Sequence, residues 1–278
     1  MNTVFRSIEG ERAVLAYYDE GLRKWPVPYE SYSLPTRRGR THIIASGPTS
    51  APALVLLHGA GSNSVFWLGD IEEYSSRFRV FALDIPGEPG KSEPIRSSYE
   101  TLAYAEWLYD VIHGLKLKKT SIIGLSQGGW TALRFSAAFP DLIDKLVLMS
   151  PAGIVPTKPS FLFKAVFYSM LGRTGIKKLN RLVLGGPQAD PQACEYMELI
   201  MKHVKSRFDR EYIFDAHELK RLSMPVLLIG GKLDVVRSIE EIEMRLSKTL
   251  PQFHSIIESK MGHVPNGINK EVMCFLTA

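Results

Sequence analysis

Ser126 stands in Gly124-Leu125-Ser126-Gln127-Gly128, directly after the run Thr120-Ser121-Ile122-Ile123 and directly before a helix-like stretch. A serine forced into a tight strand-to-helix turn presents its hydroxyl at the strand's end, and the flanking glycines let neighbouring backbone approach. The pattern predicts an exposed nucleophile; the plainer reading is a helix N-terminus with Ser126 near its cap. A hydroxyl is protonated at neutral pH, so it needs a histidine to take its proton, and that histidine needs a carboxylate to fix its tautomer. Both residue types follow. Pro225-Val226-Leu227-Leu228-Ile229-Gly230 reads as a buried strand, with Asp234 just past its end in Gly231-Lys232-Leu233-Asp234. Phe253-His254-Ser255-Ile256-Ile257 reads as a further strand, with Gly262-His263 in the loop after it. Ser126, Asp234 and His263 thus fall at the carboxyl ends of strands, the face where open α/β sheets bind ligands.

Rivals for these roles sit in less suitable places. His42 and His254 lie in strands, His113 near a helix end, and His203 and His217 in a polar helical region. The strand Lys145-Leu146-Val147-Leu148-Met149 is followed by Ser150, so no carboxylate competes there, although Asp234 could also cap a helix starting near Ser238. Leu54-Val55-Leu56-Leu57 runs into His58-Gly59-Ala60-Gly61, a strand followed by a glycine turn. Glycines there let backbone N–H groups face an incoming carbonyl, and the Ala60 and Gln127 amides are the expected oxyanion donors. His58 is expected to buttress that turn rather than titrate.

The elements that must position these groups follow an α/β rhythm. An amphipathic helix over 8–24 ends at Pro26 and Pro28, and two strands follow around 30–34 and 41–46. Strand and helix patterns then alternate: strand to Leu57, strand 79–83, helix 99–114, strand to Ile123, helix to Ala138, strand to Met149. Such alternation implies right-handed crossovers and a mostly parallel sheet. Between 153 and 221 the strands stop, and apolar residues recur at helical spacing over 161–184 and 195–214. This predicts a core of 1–152 and 222–278 with a helical cap, 153–221, inserted after the sixth strand.

The chain resembles the α/β-hydrolase superfamily over almost its whole length. Five ordered pieces carry the resemblance: His58-Gly59-Ala60-Gly61, Asp84-Ile85-Pro86-Gly87-Glu88-Pro89-Gly90-Lys91-Ser92, Gly124-Leu125-Ser126-Gln127-Gly128-Gly129, Gly231-Lys232-Leu233-Asp234 and Gly262-His263. The superfamily order of serine, acid, then histidine matches. The resemblance implies an eight-stranded sheet flanked by helices, and a structural Asp84 in a loop that walls the site. The opening Trp25-Pro26-Val27-Pro28-Tyr29-Glu30 and the stretch from Pro35 to His42 look like the bacterial carboxylesterase NP group. Members that act on haloalkanes or epoxides carry aspartate where this chain has Ser126. What remains is a carboxylic-ester hydrolase working through an acyl-enzyme, a carbon-carbon hydrolase, lactonase or thioesterase with the same triad, or a silent ligand-binding member. Because an imidazole base must be neutral, activity is expected to fall below about pH 6.5.

Substrate-facing candidates are Phe66, Trp67, Trp130, Phe161, Phe163, Phe167 and Val235, which would suit an apolar ester of small to medium size. Aromatics at helical spacing are more often core than pocket lining. No metal or cofactor is expected, and Cys194 and Cys274 form no ligand or redox spacing. A net charge of +5 is matched by the basic surplus between Lys158 and Arg221, read as solvated helix faces or as steering for anionic substrates. No recognition motif or dense basic stripe points to nucleic acid. The start is polar and charged, without an apolar signal region, and no run reaches the roughly 18 apolar residues of a membrane span. The expectation is a cytoplasmic enzyme with no membrane partner, and a homo-oligomer is left open.

Overall fold

Successive side chains of a strand point to opposite faces, so a strand apolar throughout must be covered on both. The computed structural model describes residues 4–185, 189–207 and 209–278. Its strands are β1 (Tyr29–Thr36), β2 (Gly39–Ser46), β3 (Ala53–Leu57), β4 (Arg79–Leu83), β5 (Thr120–Leu125), β6 (Ile143–Met149), β7 (Val226–Gly231) and β8 (Phe253–Glu258). They form one sheet in the order β1-β2-β4-β3-β5-β6-β7-β8. The β1–β2 and β2–β4 pairs are antiparallel and the rest parallel.

On one face, Val55, Leu57, Ile122, Leu146 and Leu148 pack with helices α3 (Ala103–Gly114), α4 (Gln127–Ala138) and α9 (Ile239–Ser247) through Trp107, Leu133 and Ile242. Their sequence neighbours Leu54, Leu56, Ile123, Val147 and Met149 pack on the other face with α1 (Ile8–Arg23), α2 (Ile71–Ser75) and α10 (Asn269–Thr277) through Tyr18, Tyr74 and Val272. Helix α1 starts at Ser7, whose side chain accepts from the Gly10 amide.

Between β6 and β7 the chain forms α5 (Pro159–Met170), α6 (Gly172–Val183), α7 (Pro191–His203) and the short α8 (Ala216–Leu219). Three boundaries differ from the sequence expectation. The helical spacing over 161–184 is two helices, broken at Gly172, whose φ of +59° is a conformation glycine tolerates. The stretch 195–214 begins earlier, where Asp190 caps the Gln192 amide, and ends at His203. Val204 then bridges to Phe5, and Phe214 leaves the helix to bury its ring 5.8 Å from that of Trp130. Helix α3 starts at 103 rather than 99, because Ser98 Oγ and Thr101 Oγ1 accept from the amides of Glu100 and Ala103. Such local bonds compete with helix.

Candidate active site

Ser126 lies at φ 51°, ψ −108°, a left-handed conformation that an L side chain rarely adopts. Neighbouring backbone holds it there: its amide donates to the Met149 carbonyl at 2.9 Å, and its own carbonyl accepts from Ala152 at 3.0 Å. The two motif glycines have separate reasons. A Cβ on Gly124 would stand 2.5 Å from the Gly128 carbonyl oxygen, so the strand can fold back onto its own helix only without one. A Cβ on Gly128 would stand 2.1 Å from the Leu57 oxygen and 2.6 Å from that of His58. That approach seats the first turn of α4 against the end of β3, beside the His58-Gly59-Ala60-Gly61 turn. The first amides of a helix lack intrahelical partners. Among the described residues, the amides of Gln127 and Ala60 have no acceptor.

The acid and the histidine are brought together by two loops that bond to each other. The Lys232 amide donates to the Glu258 carbonyl and the Leu233 amide to that of Met261. Gly231 allows this, since a Cβ there would stand 1.8 Å from the Met261 oxygen. His263 Nδ1 lies 2.8 Å from Asp234 Oδ2, and His263 Nε2 lies 3.0 Å from Ser126 Oγ. Asp234 Oδ1 accepts from the amides of Val236 at 2.7 Å and Arg237 at 3.1 Å. Burial pushes the Asp234 carboxyl up, but the bond and charge of His263 and these two amides outweigh it and hold the group below its ordinary value. An ionised carboxylate can only accept, so Nδ1 carries the proton and Nε2 is left to accept from the serine. Asp234 and His263 are buried, whereas Ser126 is half-buried and reachable.

The turn carrying Ala60 is braced from beneath. His58 Nδ1 donates to the Gly59 carbonyl at 2.8 Å and Nε2 accepts from the Ile85 amide at 3.0 Å. Burial pushes the His58 imidazole down, which keeps it neutral. Asp84 takes the hydroxyl of Tyr18 and the amides of Ser64 and Lys91. Burial raises its carboxyl, yet the bond and charge of His42 first, and then the Lys91 amide, bring it down to about 2.

Sequence reasoning missed two contributors. Glu88 Oε2 accepts from the Gly61 amide at 2.7 Å, so a buried carboxylate holds the far side of the glycine turn. Lys158 Nζ donates to the Asp234 carbonyl at 2.6 Å, tying the start of α5 to the acid's loop. A buried acid inside the Asp84 to Ser92 motif was the only available signal for the first; nothing local announces the second.

The substrate-facing candidates separate. Trp67 and Trp130 have no exposed surface and belong to the two cores: Trp67 packs edge-on against Phe66, and Trp130 packs among Tyr99, Tyr104 and Phe214 with its indole N–H on the Tyr212 carbonyl. Neither can line a cleft, because the apolar layers between sheet and helices need large residues next to the serine and glycine turns. Phe66, Phe161 and Val235 are half-buried, while Phe163 and Phe167 stand out from α5, 76% and 51% exposed.

Residues 52–174 match the family model described as alpha/beta hydrolase fold. A carboxylesterase named nap from Bacillus subtilis is 33% identical over 94% of this chain and 91% of its own length. The chain belongs to the α/β-hydrolase family. Within that family, carboxylesterase YbfK of the same organism is 31% identical over 98% of this chain and 96% of its own. The crystal structure of naproxen esterase, carboxylesterase NP, from Bacillus subtilis superposes with a TM-score of 0.87 at 30% identity, covering 98% of this chain and 99% of that one. More distant α/β-hydrolases share the fold, among them a 2-hydroxy-6-oxo-6-phenylhexa-2,4-dienoate hydrolase from Rhodococcus at 22% identity and a TM-score of 0.73.

Proposed function

We propose that this α/β-hydrolase is a serine carboxylesterase that cleaves small to medium apolar esters through an acyl-enzyme. The carrying observation is the bonded chain from Ser126 Oγ through both nitrogens of His263 to Asp234, at 3.0 and 2.8 Å. Ser126 Oγ attacks the ester carbonyl as its proton passes to His263 Nε2. The tetrahedral oxyanion is held by the amides of Ala60 and Gln127, which lack other acceptors among the described residues. His263 then gives the proton to the leaving alkoxide, and the alcohol departs. Water, losing a proton to the same nitrogen, attacks the acyl carbon, and Ser126 recovers its proton as the acid leaves. Asp234 keeps the imidazole in the working tautomer and stabilises its charged form.

The segment 153–221 acts as a cap over the catalytic face in this reading, and half-buried Phe66, Phe161 and Val235 supply the apolar contacts. The B. subtilis carboxylesterases matched over nearly the full length support ester over carbon-carbon or thioester bonds. No helix among the described residues is long and apolar enough to cross a membrane, and both cysteines are free, which suits a reducing cytoplasm. An organophosphate probe tests the nucleophile together with p-nitrophenyl esters of graded chain length. Labelling and turnover should both vanish in Ser126→Ala with the fold intact. Labelling of that variant at the wild-type rate would refute the assignment, and turnover confined to diketones or thioesters would refute the ester class.

A further inference from the structure

Helix α5 is almost wholly apolar, Pro-Ser-Phe-Leu-Phe-Lys-Ala-Val-Phe-Tyr-Ser-Met, yet none of its residues is buried. A helix apolar all round is ordinarily covered on every side. Here Phe161, Ala165 and Tyr168 are half-buried, while Leu162, Phe163, Val166, Phe167 and Met170 project into solvent, Met170 at 80%. Leu171, at the bend into α6, is 54% exposed. Contiguous exposed apolar surface of this kind marks a contact site.

The charges around it say what makes the contact. Residues 158–185 contain Lys158, Lys164, Arg173, Lys177, Lys178 and Arg181, and no Asp or Glu. Lys164, Arg173 and Arg181 are exposed and form no ion pair among the described residues. Lys177 is partly neutralised by Glu198 of α7 at 3.2 Å, and Lys178 lies over the Tyr168 ring. A second copy docking through this face in a two-fold dimer would oppose one cationic surface to another. A face both apolar and cationic matches a membrane interface bearing negative headgroups, where rings and aliphatic side chains enter the acyl boundary and lysine and arginine stay among the phosphates.

The hairpin's placement adds to this. Its entry is tied to the Asp234 carbonyl through Lys158. Its exit lies against the other loop of the site: a Cβ on Gly262, the residue before His263, would stand 2.8 Å from Gly185 Cα. We propose that the α5–α6 hairpin is a docking surface for an anionic lipid bilayer, on which the protein lies without crossing. The sequence expectation of no membrane partner rested on the lack of a spanning segment, which is a different requirement from lying on a surface.

The test is co-sedimentation of the full-length chain with vesicles of phosphatidylcholine alone or of equimolar phosphatidylcholine and phosphatidylglycerol. Two variants accompany it: Val166→Asp/Met170→Asp removes apolar contact, and Lys164→Glu/Arg173→Glu reverses two charges. All four side chains are exposed, so thermal unfolding should match wild type. The unaltered chain should bind the anionic vesicles, weaken as salt rises, and bind pure phosphatidylcholine poorly. Each variant should weaken binding by about tenfold or more. Equal binding to both vesicle types, no binding, or unchanged binding by both variants would overturn the proposal. So would a dimer seen by sedimentation velocity that Val166→Asp/Met170→Asp dissolves, since a second copy would then cover the face. The comparison of lipids with the unaltered chain decides the matter if a variant unfolds.

Discussion

Gly128→Ala puts one methyl group where two carbonyl oxygens already stand. The new Cβ would meet the Leu57 oxygen at 2.1 Å and the His58 oxygen at 2.6 Å, while real Cβ contacts do not fall below 3.0 Å. Both obstacles are backbone, so no rotamer relieves them, and the start of α4 must withdraw from β3 by roughly 1 Å. Alanine gains about 0.5–1 kcal/mol over glycine within a helix. Overpacking costs about 1–3 kcal/mol, so the clash wins and net stability should fall by about 1–2 kcal/mol. The larger effect is on rate. Withdrawal separates the Gln127 amide and Ser126 from the Ala60 amide, and a 1 Å misplacement of reacting groups costs about 10²-fold. The assay is kcat and KM with p-nitrophenyl butyrate beside urea unfolding, with Gly69→Ala as control, since a Cβ there meets nothing within 4 Å. The expected result is a kcat about 10² lower for Gly128→Ala at modest stability loss, and a control close to wild type. Gly128→Ala with wild-type kcat and stability would refute the claim that this glycine sets the spacing of the two donors.

Asp234→Asn should fold but lose about 10⁴-fold in kcat, because an amide N–H facing His263 Nδ1 fixes the tautomer that cannot accept from Ser126; a loss below tenfold would remove Asp234 from the mechanism. Glu88→Ala should lower kcat by about tenfold with KM little changed, and Glu88→Gln, which keeps an acceptor for the Gly61 amide, should restore most of it. For Asp84, a carboxyl pKa lowered from 3.8 to about 2 on folding contributes about 2 kcal/mol of stability. The sign is that of a depressed carboxylate: the contribution is full well above pH 4 and drains away as pH falls toward 2. Urea unfolding should therefore show the gap between wild type and Asp84→Asn shrinking by about 1 kcal/mol from pH 7 to pH 3, and a constant gap would contradict it.

The sheet was readable from sequence because its strands are short, apolar and regularly separated, and covering both faces leaves little choice of architecture. The strand ends of β5, β7 and β8 were readable for the same reason, which placed Ser126, Asp234 and His263 on one face before any distance was known. Trp67 and Trp130 were misread because neighbouring a glycine turn in sequence says nothing of which way an indole points. The helices between β6 and β7 were the least legible part. Their breaks depend on one left-handed glycine and on Phe214 finding a partner in Trp130, contacts that local periodicity does not encode. Glu88 escaped notice because its partner is a backbone amide, which carries no residue type to recognise.

The α5–α6 hairpin is bonded at its entry to the loop of the acid and packs at its exit against the loop of the histidine. With 153–221 acting as the proposed cap, access and proton transfer would share a fulcrum. In that reading, a hairpin movement that widened the entrance would pull on the loops that hold Asp234 and His263 at 2.8 Å. Under the same reading, substitutions at the Lys158 bond or the Gly185–Gly262 contact would change turnover as well as selectivity. Substitutions on the outward face of α5 leave the fulcrum alone, which makes that face the place to alter what the enzyme meets without altering how it cuts.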